Sequence, residues 1–326
     1  MDDLIHNEIN KAYQRIKSHI VKTPLITNEI INNQTNANVF FKLENLQSTG
    51  SFKIRGATNK ISLLSDKEKK KGVVAYSSGN HAQAVAYASK LNNIEVTIIM
   101  PKNAPIIKIE NTKKYGANVI LYDPEKENRE EIGLDISKKE KKILIKPYDD
   151  LDIIIGQGTA AKEIYDELEI MNIVPDIYLC CCGGGGLIAG TSSYLKYFYP
   201  NIKNYSVEPE NFNDTQLSLA KKSIVPNSKN LKSICDALLA DRPGNITFEI
   251  NKKILDGGLS VSDTEVMDTI IELSEKIKIV AEPGGAVAAT ALLNKRIDIK
   301  NKNIIVMVSG GNIDLKLFNS IISKRI

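Results

Sequence analysis

The feature that most constrains this chain is a regular alternation of short β-branched or apolar runs with helical patterns. Eight strands are predicted, at residues 39–43, 72–76, 95–100, 117–122, 176–182, 203–207, 259–261 and 303–309. Helical patterns lie between several of them, as at residues 108–115 and 156–168. Strands that alternate with helices build βαβ units. The sequence therefore predicts an α/β fold with two open, twisted, mainly parallel sheets flanked by helices.

The chain length of 326 residues favours about two domains. We expect the two sheets to be wound separately, with the chain leaving one sheet and later returning to it. The predicted division places residues 1–68 and 146–326 in a large domain and residues 69–145 in a small one. A chain of this length can bury a large core without disulfides or a metal.

Charge and hydropathy exclude two classes of partner. The net charge is only +4, and the basic runs at residues 67–71 and 138–142 are interrupted by glutamates and lack aromatic residues. We therefore expect no nucleic-acid partner. No apolar run reaches the ~18 residues that a bilayer-spanning helix needs. Residues 1–16 are acidic and amphipathic, unlike a secretory signal, so no membrane partner is expected.

The four cysteines are Cys180, Cys181, Cys182 and Cys235. Adjacent cysteines cannot pair without severe strain, and successive side chains of a strand point to opposite faces. The triplet therefore suits neither a disulfide framework nor a metal site, although a histidine partner stays open. We interpret these cysteines as small apolar residues of a buried strand, which predicts reduced thiols and a cytoplasmic location.

Four polar segments at predicted strand or helix ends are candidates for chemistry: STGSFKIRGA at 48–57, SSGNHA at 77–82, GGGGLIAG at 183–190 and SGGN at 309–312. A lysine at a helix start, such as Lys53, is favoured in its neutral form, which can form an imine with a carbonyl compound. The four glycines let backbone N–H groups converge on an anion, and their spacing favours a compact phosphate site over a dinucleotide motif. Taken singly, Lys53 also fits a solvated lysine and SSGNHA also fits a helix N-cap. The glycine segments at 183–190 and 309–312 also fit ordinary turns.

Together with VEPE at residues 207–210, these segments resemble the fold type II pyridoxal-phosphate (PLP) enzymes of the serine/threonine dehydratase and serine racemase family. The segments KLENLQSTGSFKIRGA, SSGNHAQA, GGGGLIAG, VEPE and SGGN occur in the order of that family, over about residues 8–315. The resemblance implies a fold like that of the tryptophan synthase β subunit, with PLP as cofactor and a homodimer as the assembly.

The same resemblance assigns the cofactor site. Lys53 should bind PLP covalently, Phe52 should pack near the ring and Asn80 should hydrogen-bond the phenolic oxygen. The phosphate should be cradled by the backbone of Gly183, Gly184, Gly185, Gly186 and Leu187. Ser309 should face the pyridine nitrogen, and its neutral hydroxyl does not force that nitrogen to be protonated. The ring is then a weaker electron sink, which suits prompt β-elimination.

The implied reaction converts L-serine or L-threonine to a 2-oxo acid and ammonia. Lys53, once freed, should take the α-proton, and Ser77, Ser78, Asn80 and His81 should hold the substrate carboxylate. Relatives that only dehydrate usually carry alanine in place of Ser78. A serine there permits racemase activity, because it can protonate the opposite face of the carbanion. Relatives that mainly dehydrate 3-hydroxyaspartate also carry this serine.

Arg129 keeps a second substrate open. A guanidinium can clamp a second carboxylate through two hydrogen bonds, which favours a 3-hydroxyaspartate dehydratase giving oxaloacetate. The other interpretation of Arg129 is a surface helix with paired charges. A β-replacement synthase of the cysteine synthase type and a non-catalytic PLP-binding relative are further alternatives. The SFKIRGA and VEPE segments speak against the synthase, and the presence of Lys53 speaks against the non-catalytic relative.

Residues 206–214 resemble the divalent cation site of the racemase-like branch. The resemblance implies Glu208, the backbone carbonyl of Phe212 and Asp214 as ligands. Hard oxygen ligands of this kind suit Mg²⁺ or Ca²⁺. A solvated acidic loop is the alternative.

Overall fold

Ten strands and fourteen α-helices are present in the computed structural model, which describes residues 2–104 and 106–323. The strands are β1 Leu25–Ile26, β2 Asn38–Leu43, β3 Val73–Tyr76, β4 Val96–Pro101, β5 Asn118–Tyr122, β6 Ile143–Leu144, β7 Ile177–Cys181, β8 Lys203–Pro209, β9 Gly257–Val261 and β10 Asn303–Val308. The helices are α1 Asp2–Ile16, α2 Glu29–Thr35, α3 Lys53–Ser62, α4 Asp66–Lys69, α5 Asn80–Leu91, α6 Ile106–Lys114, α7 Arg129–Glu140, α8 Leu151–Met171, α9 Gly186–Phe198, α10 Asp214–Lys221, α11 Asn245–Ile254, α12 Asp263–Glu272, α13 Pro283–Leu293 and α14 Leu315–Ile322.

The strands form two sheets. Six strands lie in the order β1-β2-β10-β7-β8-β9 and four in the order β5-β4-β3-β6. Every neighbouring pair is parallel except β1 and β2. The predicted α/β fold with two mainly parallel sheets is confirmed, and all eight predicted strands are present. The strands β1 and β6, of two residues each, were not predicted.

The chain leaves the six-stranded sheet after β2, builds the four-stranded sheet, and returns through α8 to β7. Helix α3, which the sequence assigns to the large domain, contributes Ile54, Ala57 and Ile61 to the core under the four-stranded sheet. The boundaries of the two domains therefore stay a prediction. None of the described helices has the length and apolar character needed to cross a bilayer.

The central strand β7 is buried along its whole length, as expected for a parallel strand covered on both faces. Cys180, Cys181 and Cys182 are buried at its carboxyl end as free thiols, and Cys235 is buried elsewhere as a free thiol. Their packing is that of small apolar side chains.

A fully buried ion cluster joins β2, α3 and α8. Arg55 of α3 donates to Glu44, just after β2, and to Glu163 of α8, each at 2.7 Å. Lys42 of β2 lies 2.8 Å from Glu163, and all four side chains are wholly inaccessible. Two positive and two negative charges balance each other, which is the condition for tolerating buried ions.

Removing Arg55 tests this cluster. We expect Arg55→Met to lower the free energy of unfolding by about 3–5 kcal/mol, because two carboxylates are left buried without their main partner. Arg296→Met is the matched control, since Arg296 pairs with Glu265 at the partly exposed surface. That control should cost less than about 1 kcal/mol. Equal losses in denaturant unfolding of the two variants would contradict this account.

Candidate active site

Several helices begin around one cavity between the two sheets, the inter-sheet cavity. They include α3, α5, α9 and α13, whose first residues or caps line the cavity, and α7, which begins there with Arg129. Helix N-termini present free N–H groups and partial positive charge. Their convergence makes the cavity suited to an anionic ligand.

The structure brings most of the predicted site residues to the inter-sheet cavity. Its lining includes Phe52, Lys53, Ser77, Ser78, Asn80, His81, Arg129, Gly183, Gly184, Gly185, Gly186, Leu187 and Ser309. Glu208, Phe212 and Asp214 are not among its lining residues. The predicted cofactor and substrate residues thus share one place, and the predicted metal ligands lie elsewhere.

Lys53 is the first residue of α3, close to the helix start that the sequence predicts. Its Nζ donates to the carbonyl of Pro147 at 2.7 Å and lies 5.2 Å from the centre of the Phe52 ring. Burial lowers the pKa of Lys53 to about 8, although Cys181 and Glu282 act in the opposite direction. A larger fraction of this amine is therefore neutral near pH 7 than for an ordinary lysine, which makes it a better nucleophile.

The glycine loop connects β7 to α9. Gly185 caps the helix with a φ of +90°, and no side chain caps the first N–H groups of α9. The helical hydrogen bond of Ala189 to the Gly185 carbonyl spans 3.0 Å, so the N–H groups before Ala189 have no acceptor within the helix. This arrangement fits the phosphate of a cofactor.

Side chains that the sequence did not single out hold the glycine loop. Thr247 Oγ1 donates to the Gly184 carbonyl at 2.7 Å, and Asn251 Nδ2 donates to the Gly185 carbonyl at 3.3 Å. The Tyr148 ring packs so closely on Gly184 that a Cβ there would lie 2.3 Å from it. The carbonyls of Gly184 and Gly185 thus accept hydrogen bonds from other parts of the chain. The N–H groups of the loop remain available to a ligand.

The segment before α5 contributes both serines. Ser77 and Ser78 are half-buried, and Ser77 Oγ accepts from the Gly79 N–H at 3.2 Å. The following Asn80 is more deeply buried and makes two side-chain contacts: its Nδ2 donates to Glu282 at 2.5 Å, and its Oδ1 accepts from Asn312 at 2.8 Å. Asn80 is therefore held rigidly at the wall of the cavity.

His81 cannot donate from its ring to an anion in the cavity. Its Nε2 lies 3.0 Å from the Ile145 carbonyl, and because a carbonyl only accepts, Nε2 carries the ring proton. The buried Nδ1 has no partner. Burial and the charge of Lys53 lower the pKa of His81 to about 3, so the ring is neutral. Only the His81 backbone N–H is left to meet a carboxylate.

Glu282 is a buried carboxyl that the sequence reasoning missed. It caps α13 just before Pro283 and lines the cavity. Burial, helped by the charge of Asp236, raises the pKa of Glu282 to about 7. The segment AEPGG, with an acid before a helix-starting proline, is the signal that could have pointed to it.

The outer wall of the cavity carries two cations. Lys108 of α6 pairs with Asp236 at 2.5 Å. Arg129, the first residue of α7, lies 6.0 Å from the centre of the Tyr76 ring. Within residues 2–104 and 106–323, no carboxylate forms an ion pair with Arg129. Its guanidinium is therefore available to a ligand, whereas the exposed pair of Lys139 and Asp135 further along α7 agrees with a surface helix that carries paired charges.

Glu208 and Asp214 lie close together in a buried region. Glu208 accepts from the N–H groups of Thr215 and Gln216 at 2.9 and 2.8 Å. Asp214 Oδ1 accepts from Asn227 at 2.7 Å, whereas its buried Oδ2 has no partner. In the described part of the chain, no three or more acidic, histidine or cysteine side chains form a cluster that could hold a metal.

Comparison with known proteins shows what this chain resembles. The family model described as "Pyridoxal-phosphate dependent enzyme" matches residues 16–310. The chain is 41% identical over 319 residues to a serine racemase of Schizosaccharomyces pombe, covering 98% of this chain and 97% of that protein. It is 39% identical over 320 residues to an L-threo-3-hydroxyaspartate ammonia-lyase of Saccharomyces cerevisiae, with coverage of 98% and 97%.

A solved structure agrees with these matches. The processed form of threonine deaminase isoform 2 from Solanum lycopersicum superimposes with a TM-score of 0.88 and 31% identity. The superposition covers 97% of this chain and 93% of that one. Proteins named for three different activities are thus found among those similar to this chain.

The pKa of Lys53 gives a prediction for the cofactor-free protein. Because the pKa is lowered to about 8, neutral amine accumulates above pH 8 rather than above its usual value near 10.4. We expect acetylation of Lys53 by acetic anhydride to rise with pH, with a midpoint near 8, and then to level off. Peptide mass spectrometry measures this against an added free lysine derivative. A Lys53 midpoint equal to that of the free derivative would refute it.

The glycine loop gives a second prediction. Gly185 and Gly116 both have a φ of +90°, but a Cβ at Gly185 would lie 2.7 Å from Asn251, whereas Gly116 has open space. Alanine at either position costs about 1 kcal/mol of backbone strain. We expect only Gly185→Ala to weaken binding of pyridoxal 5′-phosphate, by about tenfold or more, because the loop must shift its N–H groups. Equal binding by both variants in a titration would exclude this role.

Proposed function

The chain belongs to the pyridoxal-phosphate dependent enzyme family, and we propose that it is an ammonia-lyase acting on small hydroxy amino acids. It is an enzyme of the carbon–nitrogen lyase type. The proposed reaction converts L-serine or L-threonine to a 2-oxo acid and ammonia, and Ser78 adds the capacity to racemise serine. The observation that carries the proposal is the buried, partly neutral Lys53 amine in a cavity where several helix N-termini meet.

The residues present fit pyridoxal phosphate. The uncapped start of α9 supplies N–H groups for the phosphate, and Lys53 supplies the amine that holds the cofactor. Phe52 and Ser309 line the same cavity, one to pack on the ring and one to meet its nitrogen. When bound, the cofactor supplies an electron-withdrawing ring that stabilises negative charge at the substrate α-carbon.

Proton transfer falls to two side chains of the cavity. Lys53 would take the α-proton of a bound substrate, and its lowered pKa suits a general base near neutral pH. Ser78 gives a proton to the opposite face when serine is racemised. The substrate carboxylate binds the hydroxyls of Ser77 and Ser78 and the backbone N–H groups of Asn80 and His81, because the side-chain amide of Asn80 is already engaged and the His81 ring has no donor to offer.

The second candidate substrate is 3-hydroxyaspartate, which Arg129 favours. Its guanidinium lines the cavity without an ion pair among the described residues, so a second carboxylate can bind it through two hydrogen bonds. The yeast relative named for this substrate is 39% identical. The product would be oxaloacetate.

A divalent cation, Mg²⁺ or Ca²⁺, is proposed at Glu208, the Phe212 carbonyl and Asp214. Burial and the charge of Asp214 raise the pKa of Glu208 well above its ordinary value, and burial raises the pKa of Asp214 to about 7. A cation bound there would compensate the charge of these two adjacent buried carboxyls and would give the unpartnered Oδ2 of Asp214 a partner. A homodimer and a cytoplasmic location are proposed only from the family resemblance and from cysteine usage.

A panel of substrates tests the proposed function. The PLP-loaded enzyme is given L- and D-serine, L-threonine and L-threo-3-hydroxyaspartate, with Mg²⁺ and after chelation, and 2-oxo acid, ammonia and serine configuration are measured. We expect ammonia from at least one hydroxy amino acid and a higher rate with Mg²⁺. Absence of ammonia from all of them would overturn the proposal.

The same panel separates the two substrate classes. We expect Arg129→Ala to raise KM for 3-hydroxyaspartate about tenfold or more, because a charged hydrogen bond is lost, and to leave L-serine kinetics within twofold. Arg242→Ala is the control, since Arg242 is exposed and follows the lining residue Ala240 closely in sequence but does not itself line the cavity. Unchanged KM for 3-hydroxyaspartate in Arg129→Ala would eliminate the clamp.

A further inference from the structure

The side-chain amide of Asn80 has a single orientation, which is fixed by hydrogen bonds to two other side chains. Its Nδ2 donates to Glu282 Oε1 at 2.5 Å, and its Oδ1 accepts from Asn312 Nδ2 at 2.8 Å. These two partners lie 202 and 232 residues away along the chain. Asn80 is thus clamped between the start of α13 and the segment after β10.

The backbone determines the orientation of Asn312 itself. Its Nδ2 also donates to the carbonyl of Thr49 at 2.8 Å. A carbonyl oxygen can only accept, so the NH₂ group of Asn312 must face Thr49, and its second N–H faces Asn80 Oδ1. The direction of the Asn80 amide therefore follows, through Asn312, from one backbone carbonyl.

Two glycines make room for this arrangement. Gly50 has a φ of +71°, and a Cβ there would lie 2.3 Å from Asn312 Oδ1. A Cβ at Gly310 would lie 2.1 Å from Glu282 Oε1. Each glycine allows one partner of Asn80 to approach the backbone closely. The glycines of the STG and SGGN segments thus allow Asn312 and Glu282 to reach Asn80 in the SSGN segment.

We propose that Asn312 is a positioning residue that fixes the Asn80 amide with its NH₂ group toward the inter-sheet cavity. One N–H of Asn80 is used by Glu282, and the other is free to donate to a ligand. This inference rests on the proposed function, in which that ligand atom is the phenolic oxygen of pyridoxal phosphate. A reversed Asn80 would place its Oδ1 against both the Glu282 carboxyl and the ligand oxygen, and the donor would be lost.

The test compares three variants of the PLP-loaded enzyme. Asn312→Ala removes the lock, and Asn312→Asp keeps the size but cannot donate to Thr49 or to Asn80. Asn45→Ala is the matched control: Asn45 Nδ2 donates to the Val280 carbonyl at 3.1 Å in the same neighbourhood, without contacting Asn80.

Two readouts follow the orientation of Asn80 rather than activity. The first is the PLP dissociation constant, which we expect to rise about three- to tenfold in both Asn312 variants, since one hydrogen bond is lost. The second is the absorbance of the bound cofactor, which should shift from the band of the ionised phenol toward the shorter-wavelength band of the neutral phenol. Asn45→Ala should stay within twofold of wild type, with an unchanged spectrum.

The possible outcomes are distinguishable. A wild-type protein that shows no cofactor absorbance contradicts the proposed function itself. A wild-type protein that binds PLP, with Asn312 variants whose spectrum and affinity match those of Asn45→Ala, overturns the role of Asn312 alone. If Asn312→Ala does not fold, Asn312→Asp decides, and the side-chain ¹⁵N–¹H resonances of Asn80 in the cofactor-free protein report the same contact.

Discussion

The position of Lys53 depends on a buried ion cluster that joins its helix, α3, to β2 and α8. Arg55 lies two residues after Lys53 and is fixed by Glu44 and Glu163, with Lys42 completing the charge balance. Isolated ions are too costly to bury, so the cluster is stable only when all members are in register. Helix α3 therefore cannot slide or rotate without breaking it. The position of the Lys53 amine at the cavity follows from that constraint.

Burial shifts the pKa values of the groups in the inter-sheet cavity upward or downward, depending on the charge of each group. It disfavours charge, and so it lowers the pKa of Lys53 to about 8, raises that of Glu282 to about 7 and keeps His81 neutral. An incoming anion also loses its hydration in the cavity, but the N–H groups at the helix N-termini replace the water molecules that it gives up. The cavity thus favours a neutral amine and a bound phosphate together.

Much of the fold and site could be predicted from the sequence, because the signals are local. The β-branched runs predicted eight strands, and the Lys53, SSGN and glycine segments each mark a strand or helix end. The rest depends on contacts between distant residues: Thr247 reaches Gly184 from 63 residues away, and Glu282 reaches Asn80 from 202. The strands β1 and β6, of two residues each, are too short to show the hydrophobic periodicity from which a strand is predicted. Arg55 lies in the SFKIRGA segment, which the sequence singled out. No local pattern around Glu44 or Glu163, however, shows that these residues pair with Arg55.

Lys53, and no other lysine of the cavity, is the residue that we propose to bond covalently to pyridoxal phosphate. Borohydride reduction of the PLP-loaded enzyme, followed by peptide mass spectrometry, tests this assignment directly. Lys108 is the competing site, since it lines the same cavity. We expect the reduced pyridoxyl group on the peptide containing Lys53. Its presence on Lys108, or its absence from both lysines, would rule out this assignment.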